Sequence, residues 1–240
     1  MTIEKFGPFD GALLVDKPAG MTSHDVVDAI RRRFKFQKVG HCGTLDPNAT
    51  GLLVIVLGKS TKLSDRIMSQ DKAYEGIARF GESTDTFDAD GQITATRPVP
   101  QLNLDMLNSV ASSFIGDLMQ VPPMVSAAKK DGVPLYKLAR KGIEVERKPK
   151  LVHIYDFSFT NLKDNTAEFK VVCTKGTYVR SLIHDLGEKI GCGAHLAALR
   201  RTASGSFTVK DSLQFNKLIE LPASELQKFI IPHIKLVHSQ

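Results

Sequence analysis

The hydrophobic positions of this chain form short apolar runs separated by segments with a helical period. Residues 12–15 and 51–57 are two such runs, and each predicts a short buried strand. Between them, Ser23 precedes apolar residues at helical spacing and is predicted to cap a helix. The apolar face of this helix consists of Val26, Val27, Ile30 and Phe34.

The rest of the chain continues this mixture of strands and helices. The alternating residues 74–80 predict a strand, 104–114 predict a helix, and 151–159 with 167–173 predict a pair of strands. A further helical stripe ends at Gly191. Because strands and helices follow one another without regular βαβ alternation, the pattern predicts an α+β fold with a mixed sheet.

The length of the chain and the positions of its prolines predict one large domain, a short tail and one excursion from the core. Residues 1–209 are expected to form a single domain, and residues 210–240 are too few to form another. This last segment is predicted to pack as a helical tail. Residues 122–150 are flanked by prolines and rich in lysine and arginine, so they are interpreted as a basic excursion from the core.

The chain carries a surplus of positive charge. It has 32 Lys and Arg against 26 Asp and Glu, a formal net charge of +6, which suits a polyanionic partner. No apolar run approaches the roughly 20 residues of a membrane-spanning helix, and the first ten residues show no signal-peptide pattern. The three cysteines lack a CxxC pair, which disfavours a disulfide framework. We therefore expect a cytoplasmic protein that crosses no membrane.

Several cofactor and metal motifs begin in this sequence and then fail. Residues 58–60 (GKS) would need a glycine where Leu53 stands to complete a phosphate-binding loop. Residues 86–97 lack the final glutamate of an EF-hand, and residues 191–196 lack the third glycine of a dinucleotide fingerprint. Residues 41–42 are one adjacent His-Cys pair without further ligands at metal spacing. The sequence therefore predicts neither a cofactor nor a metal ion.

One loop carries a candidate reactive group. Residues 40–51, GHCGTLDPNATG, place glycines and a proline around the carboxylate of Asp46, immediately before a buried strand. Such a loop can hold a side chain at the mouth of a strand, although an Asp-Pro pair by itself is typical of an ordinary turn. The loop alone leaves both interpretations open.

Five blocks of sequence together resemble a known family. In order, they are DKPAGMTS (16–23), GTLDPNATG (43–51), YEG (74–76), TDTFDADG (84–91) and KGTYVR (175–180). In these blocks the chain resembles the bacterial tRNA pseudouridine-55 synthases of the TruB family. The resemblance runs from about residue 11 to residue 205. It implies the pseudouridine synthase fold, in which helices flank a central, mixed and mostly antiparallel sheet.

The resemblance also implies an activity, the conversion of uridine-55 in the T-loop of tRNA to pseudouridine. Asp46 would be the catalytic aspartate, Arg180 would pair with its carboxylate, and Tyr74 would stack on the target base. A guanidinium would keep that carboxylate charged and oriented through two parallel hydrogen bonds, a geometry that lysine lacks. Two points stay open: whether Tyr74 also transfers a proton, and whether Asp46 attacks the base, attacks the sugar or promotes elimination.

The same resemblance assigns residues that bind the RNA. Tyr178 and Leu199 would line the uridine pocket, and His41 would help to hold the RNA loop open around the extruded uridine. The excursion at 122–150 would be an RNA-gripping thumb, whose phosphate contacts offset the cost of flipping a base out of its stack. Backbone contacts are predicted for Lys129, Lys130, Arg140, Lys141, Arg200 and Arg201. A charge run of this kind is also typical of a solvated surface.

The implied reaction is an isomerisation. The nitrogen–carbon glycosidic bond breaks, the uracil turns, and it rejoins the same sugar through carbon, so no atoms or electrons are gained or lost. This agrees with the failure of every cofactor motif. The expected partner is the T-arm of tRNA, and a monomer without an obligate protein partner is expected.

Two other functions stay open at this point. A non-catalytic tRNA-binding folding chaperone would use the same basic excursion, and a guide-dependent rRNA pseudouridine synthase would share the GTLDP loop. Many family members carry a carboxyl-terminal PUA-like RNA-binding module, which is expected to be absent here because the chain ends about thirty residues past the shared core. The short chain and the DKPAGMTS block favour the stand-alone tRNA enzyme.

Overall fold

The structure is a computed structural model that describes residues 6–126, 129–130, 132–139, 141–143 and 145–238. The strands are β1 (Gly11–Lys17), β2 (Val39–His41), β3 (Thr50–Leu57), β4 (Lys72–Phe80), β5 (Glu82–Thr84), β6 (Ile93–Thr96), β7 (Gly116–Gln120), β8 (Lys129–Lys130), β9 (Val133–Pro134), β10 (Lys150–Lys163), β11 (Thr166–Cys173), β12 (Ala194–Ser204), β13 (Phe207–Thr208), β14 (Leu213–Gln214) and β15 (Ile230–Pro232).

The α-helices are α1 (Ser23–Phe34), α2 (Ser64–Met68), α3 (Leu104–Ser112), α4 (Leu135–Ala139), α5 (Val179–Ile190), α6 (Phe215–Glu220) and α7 (His233–His238). Three short 3-10 helices are η1 (Gly58–Leu63), η2 (Val209–Asp211) and η3 (Leu226–Phe229). Across the described part of the chain, none of these helices combines the length and the apolar character needed to span a membrane.

The chain divides into two compact units. The first unit runs to Ala73 and resumes at Arg200, and the second unit is Tyr74–Leu199. The loop that carries Asp46 belongs to the first unit, and the block that carries Arg180 belongs to the second.

Strands β1 and β3 form the centre of the first unit. They pair antiparallel, from Gly11 opposite Leu57 to Lys17 opposite Gly51, and nearly all their residues are buried, as the two apolar runs predict. Strand β2 lies antiparallel to β3, whereas the end of β12 lies parallel to it, with Arg201 beside Gly51. The Asp46 loop therefore joins β2 to β3 at one end of two buried strands.

Helix α1 lies beside β2 and begins near the same loop. Its cap is Thr22 and not Ser23, which corrects the expectation from the sequence. The Thr22 hydroxyl accepts from the Asp25 backbone N–H, and the Asp25 carboxylate accepts from the Thr22 backbone N–H, which together form a capping box. This arrangement leaves Ser23 to face the interior, and Val26, Val27 and Ile30 are buried as predicted.

An aromatic core and antiparallel strands build the second unit. Strand β10 pairs antiparallel with β11 on one side and with β7 on the other, and β4 neighbours β11. Phe157, Phe159 and Phe169 contact one another edge to face or tilted. Helix α5 buries Leu182, Ile183 and Leu186 in the same core. Antiparallel pairs predominate, and parallel pairs occur between β3 and β12 and between β1 and β14, so the predicted α+β fold with a mixed, mostly antiparallel sheet is confirmed.

The segment after residue 209 contains helices and also strands. Helices α6 and α7 agree with the predicted helical tail. Strand β14 runs parallel to β1, and β15 runs antiparallel to it. The tail prediction omitted both strands because two or three residues are too few to show an alternating pattern.

The predicted thumb is partly described. Its described residues form β8, β9 and α4, and the Arg147 guanidinium donates to the Pro122 carbonyl at 3.3 Å, which links the two ends of the segment. Lys141 is exposed. Lys129 and Lys130 form β8, and Arg140 lies outside the described residues.

Candidate active site

Asp46 occupies the loop between β2 and β3, where it is partly exposed. Its backbone carbonyl accepts from the Ala49 N–H at 3.1 Å, which closes a turn through Pro47. Leu45 and Ala49 on either side of this turn are buried. The loop is thus anchored by apolar residues, while Asp46 itself is partly exposed.

Ser23 fixes the residue that precedes Asp46. Its hydroxyl accepts from the Leu45 backbone N–H at 2.8 Å and donates to the Leu45 carbonyl, whose oxygen lies 3.2 Å away. Because Ser23 is the first residue of α1 and is buried, the loop is tied directly to the start of that helix.

Lys17 fixes the residue that follows Asp46. This lysine is fully buried at the end of β1. Its Nζ donates to three backbone carbonyls, those of Pro18 at 2.8 Å, Met21 at 2.7 Å and Pro47 at 2.8 Å. Three donors on one ammonium match three acceptors. Backbone atoms on both sides of Asp46 are therefore held by buried side chains.

Burial lowers the pKa of Lys17 to about 8, and the carboxylates of Asp46 and Asp25 oppose that shift. The positive charge of Arg201 acts in the same direction as burial. The Lys17 ammonium therefore senses the Asp46 charge while its hydrogen bonds hold the loop backbone.

The titration of Lys17 predicts a specific dependence of stability on pH. The folded chain releases this proton near pH 8, whereas the unfolded chain keeps it up to about pH 10.5. Between those values the unfolded state binds more protons, so raising the pH favours folding. We expect the free energy of unfolding of the wild type, relative to Lys17→Met, to rise by about 3 kcal/mol across this window. Urea unfolding at several pH values measures it, and parallel curves for both proteins would contradict the assignment.

Arg201 closes the neck of the Asp46 loop. Its Nε donates to the Leu52 carbonyl at 2.7 Å, and its Nη2 donates to the Gly43 carbonyl at 3.0 Å. Gly43 and Gly51 flank the loop, and a Cβ on Gly51 would lie 2.3 Å from the Arg201 backbone oxygen, so glycine is required there. Arg201 is 1% exposed, and a guanidinium enclosed in this way has no path to a phosphate. We therefore reassign it from RNA contact to support of the loop.

Loss of the Arg201 guanidinium is expected to destabilise the first unit. Arg201→Met leaves two buried carbonyls without donors, which costs about 3 kcal/mol in the free energy of unfolding. We also expect kcat to fall more than KM changes, because the loop loses its geometry while the RNA contacts remain. Urea unfolding and steady-state kinetics measure the two effects. Unchanged stability would show that water satisfies these carbonyls.

Arg200, the neighbouring arginine, faces the other way. Its two terminal nitrogens contact the Asp16 carboxylate at 3.0 and 2.7 Å in a bidentate ion pair. Asp16 belongs to the DKPAGMTS block, so this ion pair links that block to β12. The Arg200 side chain is partly exposed, so its contact with an RNA phosphate stays a prediction.

His41 is the last residue of β2 and lies mostly buried at the entry to the Asp46 loop. Burial, followed by the charges of Arg201 and His24, lowers its pKa. Within the described residues its Nδ1 is buried and has no hydrogen-bond partner. The role in RNA binding that the family resemblance implies for His41 stays a prediction.

Arg180 is buried in the first turn of α5, with 4% of its surface exposed. Its Nη1 lies 3.1 Å from the Asp88 carboxylate and 3.2 Å from the Thr86 carbonyl, and its Nη2 donates to the Val125 carbonyl at 2.8 Å. The guanidinium therefore joins the start of α5 to the TDTFDADG block and to the segment after β7.

Asp88 is a partner of Arg180 that is not among the site residues predicted from the sequence. Besides Arg180, its carboxylate accepts from the Thr86 hydroxyl and from the Asp90 backbone N–H at 3.1 Å. The only signal for Asp88 in the sequence is its place in the TDTFDADG block. The predicted pairing of Arg180 with Asp46 joins residues of different units and stays a prediction.

The other residues that the family resemblance assigns to the uridine pocket lie in the second unit. Gln120, buried at the end of β7, donates to the Tyr178 carbonyl at 3.0 Å and accepts from the Tyr178 N–H at 2.7 Å. Tyr74 and Leu199 are partly buried and pack against the aromatic core. Tyr74, Tyr178, Arg180 and Leu199 thus belong to the second unit, and His41 and Asp46 belong to the first. Among the described residues, no group of three His, Cys, Asp or Glu side chains could hold a metal ion.

Two family models match adjoining parts of this chain, which together cover residues 31–237. The model for the TruB family pseudouridylate synthase N-terminal domain matches residues 31–179. The model for the tRNA pseudouridylate synthase B C-terminal domain matches residues 180–237.

Individual relatives and solved structures agree with these matches. A tRNA pseudouridine synthase B of Opitutus terrae is 50% identical over 93% of this chain and 92% of its own length. A protein of the same name from Syntrophotalea carbinolica is 50% identical over 90% of this chain and 70% of its own. A chain in the crystal structure of a Cbf5-Nop10-Gar1 complex superimposes on this protein with a TM-score of 0.76 at 27% identity. The superposition covers 97% of this protein and 63% of that chain.

The extent of these matches decides the family. The N-terminal family model alone covers more than half of the chain, and relatives at 50% identity align over at least nine-tenths of it. The resemblance drawn from the five sequence blocks is confirmed, and the chain belongs to the TruB family of pseudouridylate synthases.

Proposed function

We propose that this chain isomerises a uridine of tRNA to pseudouridine, at position 55 in the T-loop. The observation that carries the proposal is the Asp46 loop, whose backbone is fixed by Ser23 at Leu45 and by Lys17 at Pro47. A single carboxylate held in this way is the group that the reaction needs. The relatives that align over most of the chain bear the name tRNA pseudouridine synthase B.

The reaction conserves every atom of the nucleoside. The bond between the sugar and the ring nitrogen breaks, the uracil turns, and a bond forms between the sugar and a ring carbon. That carbon loses its proton and the freed nitrogen gains one. We assign to Asp46 the role of nucleophile or proton acceptor, which requires it to be ionised. The Lys17 ammonium and the Asp46 carboxylate attract each other.

We assign to Arg180 the orientation of the Asp46 carboxylate, and to Tyr74 the stacking of the target base. Tyr178 and Leu199 complete the uridine pocket, and His41 supports the opened RNA loop. Two features support these roles: Arg180 is already rigid through its contacts with Asp88 and two carbonyls, and the Tyr178 backbone is pinned by Gln120.

Contacts with the phosphate backbone supply the free energy that flips the uridine out of its stack. We propose that Lys129, Lys130, Arg140 and Lys141 of the thumb make such contacts, together with Arg200. We further propose a catalytic domain at residues 1–209 with the thumb at 122–150 and a tail at 210–240. We also propose that the protein is a cytoplasmic monomer that needs no obligate protein partner.

Incubation of the purified chain with unmodified tRNA, without guide RNA or other proteins, tests this function. We expect chemical mapping to find pseudouridine at the T-loop uridine and at no other position. Product that appears only after a guide RNA is added would point to the guide-dependent rRNA enzyme. Accelerated tRNA folding without any pseudouridine would point to the non-catalytic chaperone.

A further inference from the structure

The first unit has a second end, opposite the Asp46 loop. Helix α1 starts at Ser23, which contacts the loop at Leu45, and ends at Phe34, a length of about 18 Å. Strand β3 starts at Thr50, directly after the loop, and ends at Leu57, a length of about 23 Å. Both elements therefore run from the reactive loop to the same far end of the unit.

Exposed cations gather at this far end. Arg32, Lys35 and Lys38 are exposed. Lys59 is close by, because the Gly58 N–H donates to the Lys38 carbonyl at 2.9 Å. We call these four residues the far basic surface. Within the described residues, Arg32, Lys35 and Lys38 have no acidic partner.

Two neighbouring arginines, in contrast, make contacts within the fold. Arg31 pairs with Asp28 at 2.5 Å, and Arg33 donates to the carbonyls of Ile219 and Leu221 at the end of α6. Arg31 and Arg33 thus stabilise the fold, whereas Arg32, Lys35 and Lys38 are exposed to solvent.

The helix dipole does not account for this surface. Cations in the last turn of a helix are stabilised by its carboxyl end, and that explanation covers Arg32. Lys35 follows the helix in the left-handed conformation, with φ of 55°, where glycine or asparagine is preferred. Lys38 and Lys59 lie outside α1 altogether. Local structure therefore does not account for the exposed Lys35 and Lys38, whereas the Lys59 ammonium lies 5.6 Å from the centre of the Phe6 ring.

Aromatic residues alternate with these cations along the chain. The Phe9 and Phe36 rings meet edge to face at 5.8 Å, and Phe9 is 37% exposed. Phe34 contacts Phe36 at 6.2 Å. Together the rings form an apolar cluster in the same stretch of chain as the exposed cations, a combination that suits a nucleic-acid backbone and its exposed sugars or terminal bases.

We propose that the far basic surface binds the phosphate backbone of tRNA outside the T-arm. The proposal rests on the function proposed above, which brings the T-loop to Asp46. From there, about 23 Å corresponds to at least about seven base-pair steps, because an A-form RNA helix rises less per step than the 3.4 Å of DNA. This is longer than the short stem that closes the T-loop. An RNA helix that follows the first unit from Asp46 thus reaches Lys35 and Lys38 only with the stem stacked beyond the T-arm.

Two RNA ligands separate this surface from the site at Asp46. The ligands are full-length unmodified tRNA and a hairpin that contains only the T-arm, and the variant is Lys35→Glu/Lys38→Glu. We expect its affinity for full-length tRNA to fall about tenfold or more near 0.1 M salt, and its affinity for the hairpin to change by less than about twofold. The neutral variant Lys35→Asn/Lys38→Gln, whose asparagine tolerates the left-handed backbone, should reduce the slope of log affinity against log salt by about 2.

The matched control carries the same change in charge elsewhere. Lys163 and Lys210 are exposed lysines outside the surface, and Lys163→Glu/Lys210→Glu should bind both RNAs as the wild type does. Equal losses for tRNA and hairpin, no loss for either, or an equal loss in the control would each overturn the proposal. Turnover is measured separately. A wild type that binds both RNAs but makes no pseudouridine would refute the proposed function. The difference in binding between the variants would still test whether the far basic surface binds tRNA.

Discussion

Asp46→Asn is expected to abolish pseudouridine formation, with a loss in kcat of about a thousandfold or more. The amide has nearly the same shape as the carboxylate, but it can neither attack carbon nor accept a proton at neutral pH. The contacts that fix the loop use backbone atoms of Leu45 and Pro47, so the loop should keep its geometry. The affinity for tRNA should therefore stay within a few-fold of the wild type. Single-turnover rates with saturating enzyme and filter binding measure the two quantities.

A second carboxylate provides the matched control for this substitution. Asp164 is exposed in the turn between β10 and β11, with φ of 52°. Asparagine tolerates that left-handed backbone well, so Asp164→Asn removes the same charge without structural cost. We expect the control to retain full activity. Turnover by Asp46→Asn at the rate of this control would disprove the role assigned to Asp46.

Arg180→Met is expected to have the second largest effect, on both activity and stability. It leaves the Asp88 carboxylate and the Thr86 and Val125 carbonyls without their shared donor. Removing one partner of a buried ion pair costs about 3 kcal/mol in the free energy of unfolding. Arg180→Lys restores a charge without the planar fork, so we expect it to recover part of the stability while kcat stays at least about a hundredfold below the wild type.

A double-mutant cycle with Asp88→Asn separates the ion pair from the other contacts of Arg180. Because the two side chains contact each other directly, the loss in the double variant should be smaller than the sum of the single losses. Unfolding in urea gives the four free energies. Strict additivity would show that the pair contributes nothing to stability beyond the separate environments of its two residues.

The apolar pattern predicted the strands that position the site but not the charged residues that stabilise it. Strands β1 and β3 follow from two uninterrupted apolar runs, and the Asp46 loop follows from its glycines, its proline and its place before β3. Lys17 and Arg201 are as buried as the apolar residues around them, yet a pattern of hydrophobicity assigns both to the surface. They are tolerated inside only because backbone carbonyls far apart in the sequence accept their hydrogen bonds.

The contact between Arg180 and Asp88 could not be predicted from the apolar pattern either, because the two residues are far apart in the sequence. Their sequence separation leaves no periodic signal, and only the fold brings the first turn of α5 to the TDTFDADG block. The prediction for Arg201 was wrong for a related reason: Arg200 and Arg201 are adjacent in the sequence, but neighbouring side chains of a strand point to opposite faces. One therefore meets Asp16 and the other closes the neck of the Asp46 loop.

The most direct test of the account is a pseudouridine map of cellular tRNA from cells whose only copy of this gene encodes Asp46→Asn, compared with cells that carry the unaltered gene. We expect the T-loop pseudouridine to be missing in the first and present in the second, with the other modified positions of tRNA unchanged. A normal level of T-loop pseudouridine in the Asp46→Asn cells would contradict the claim that this carboxylate carries the reaction.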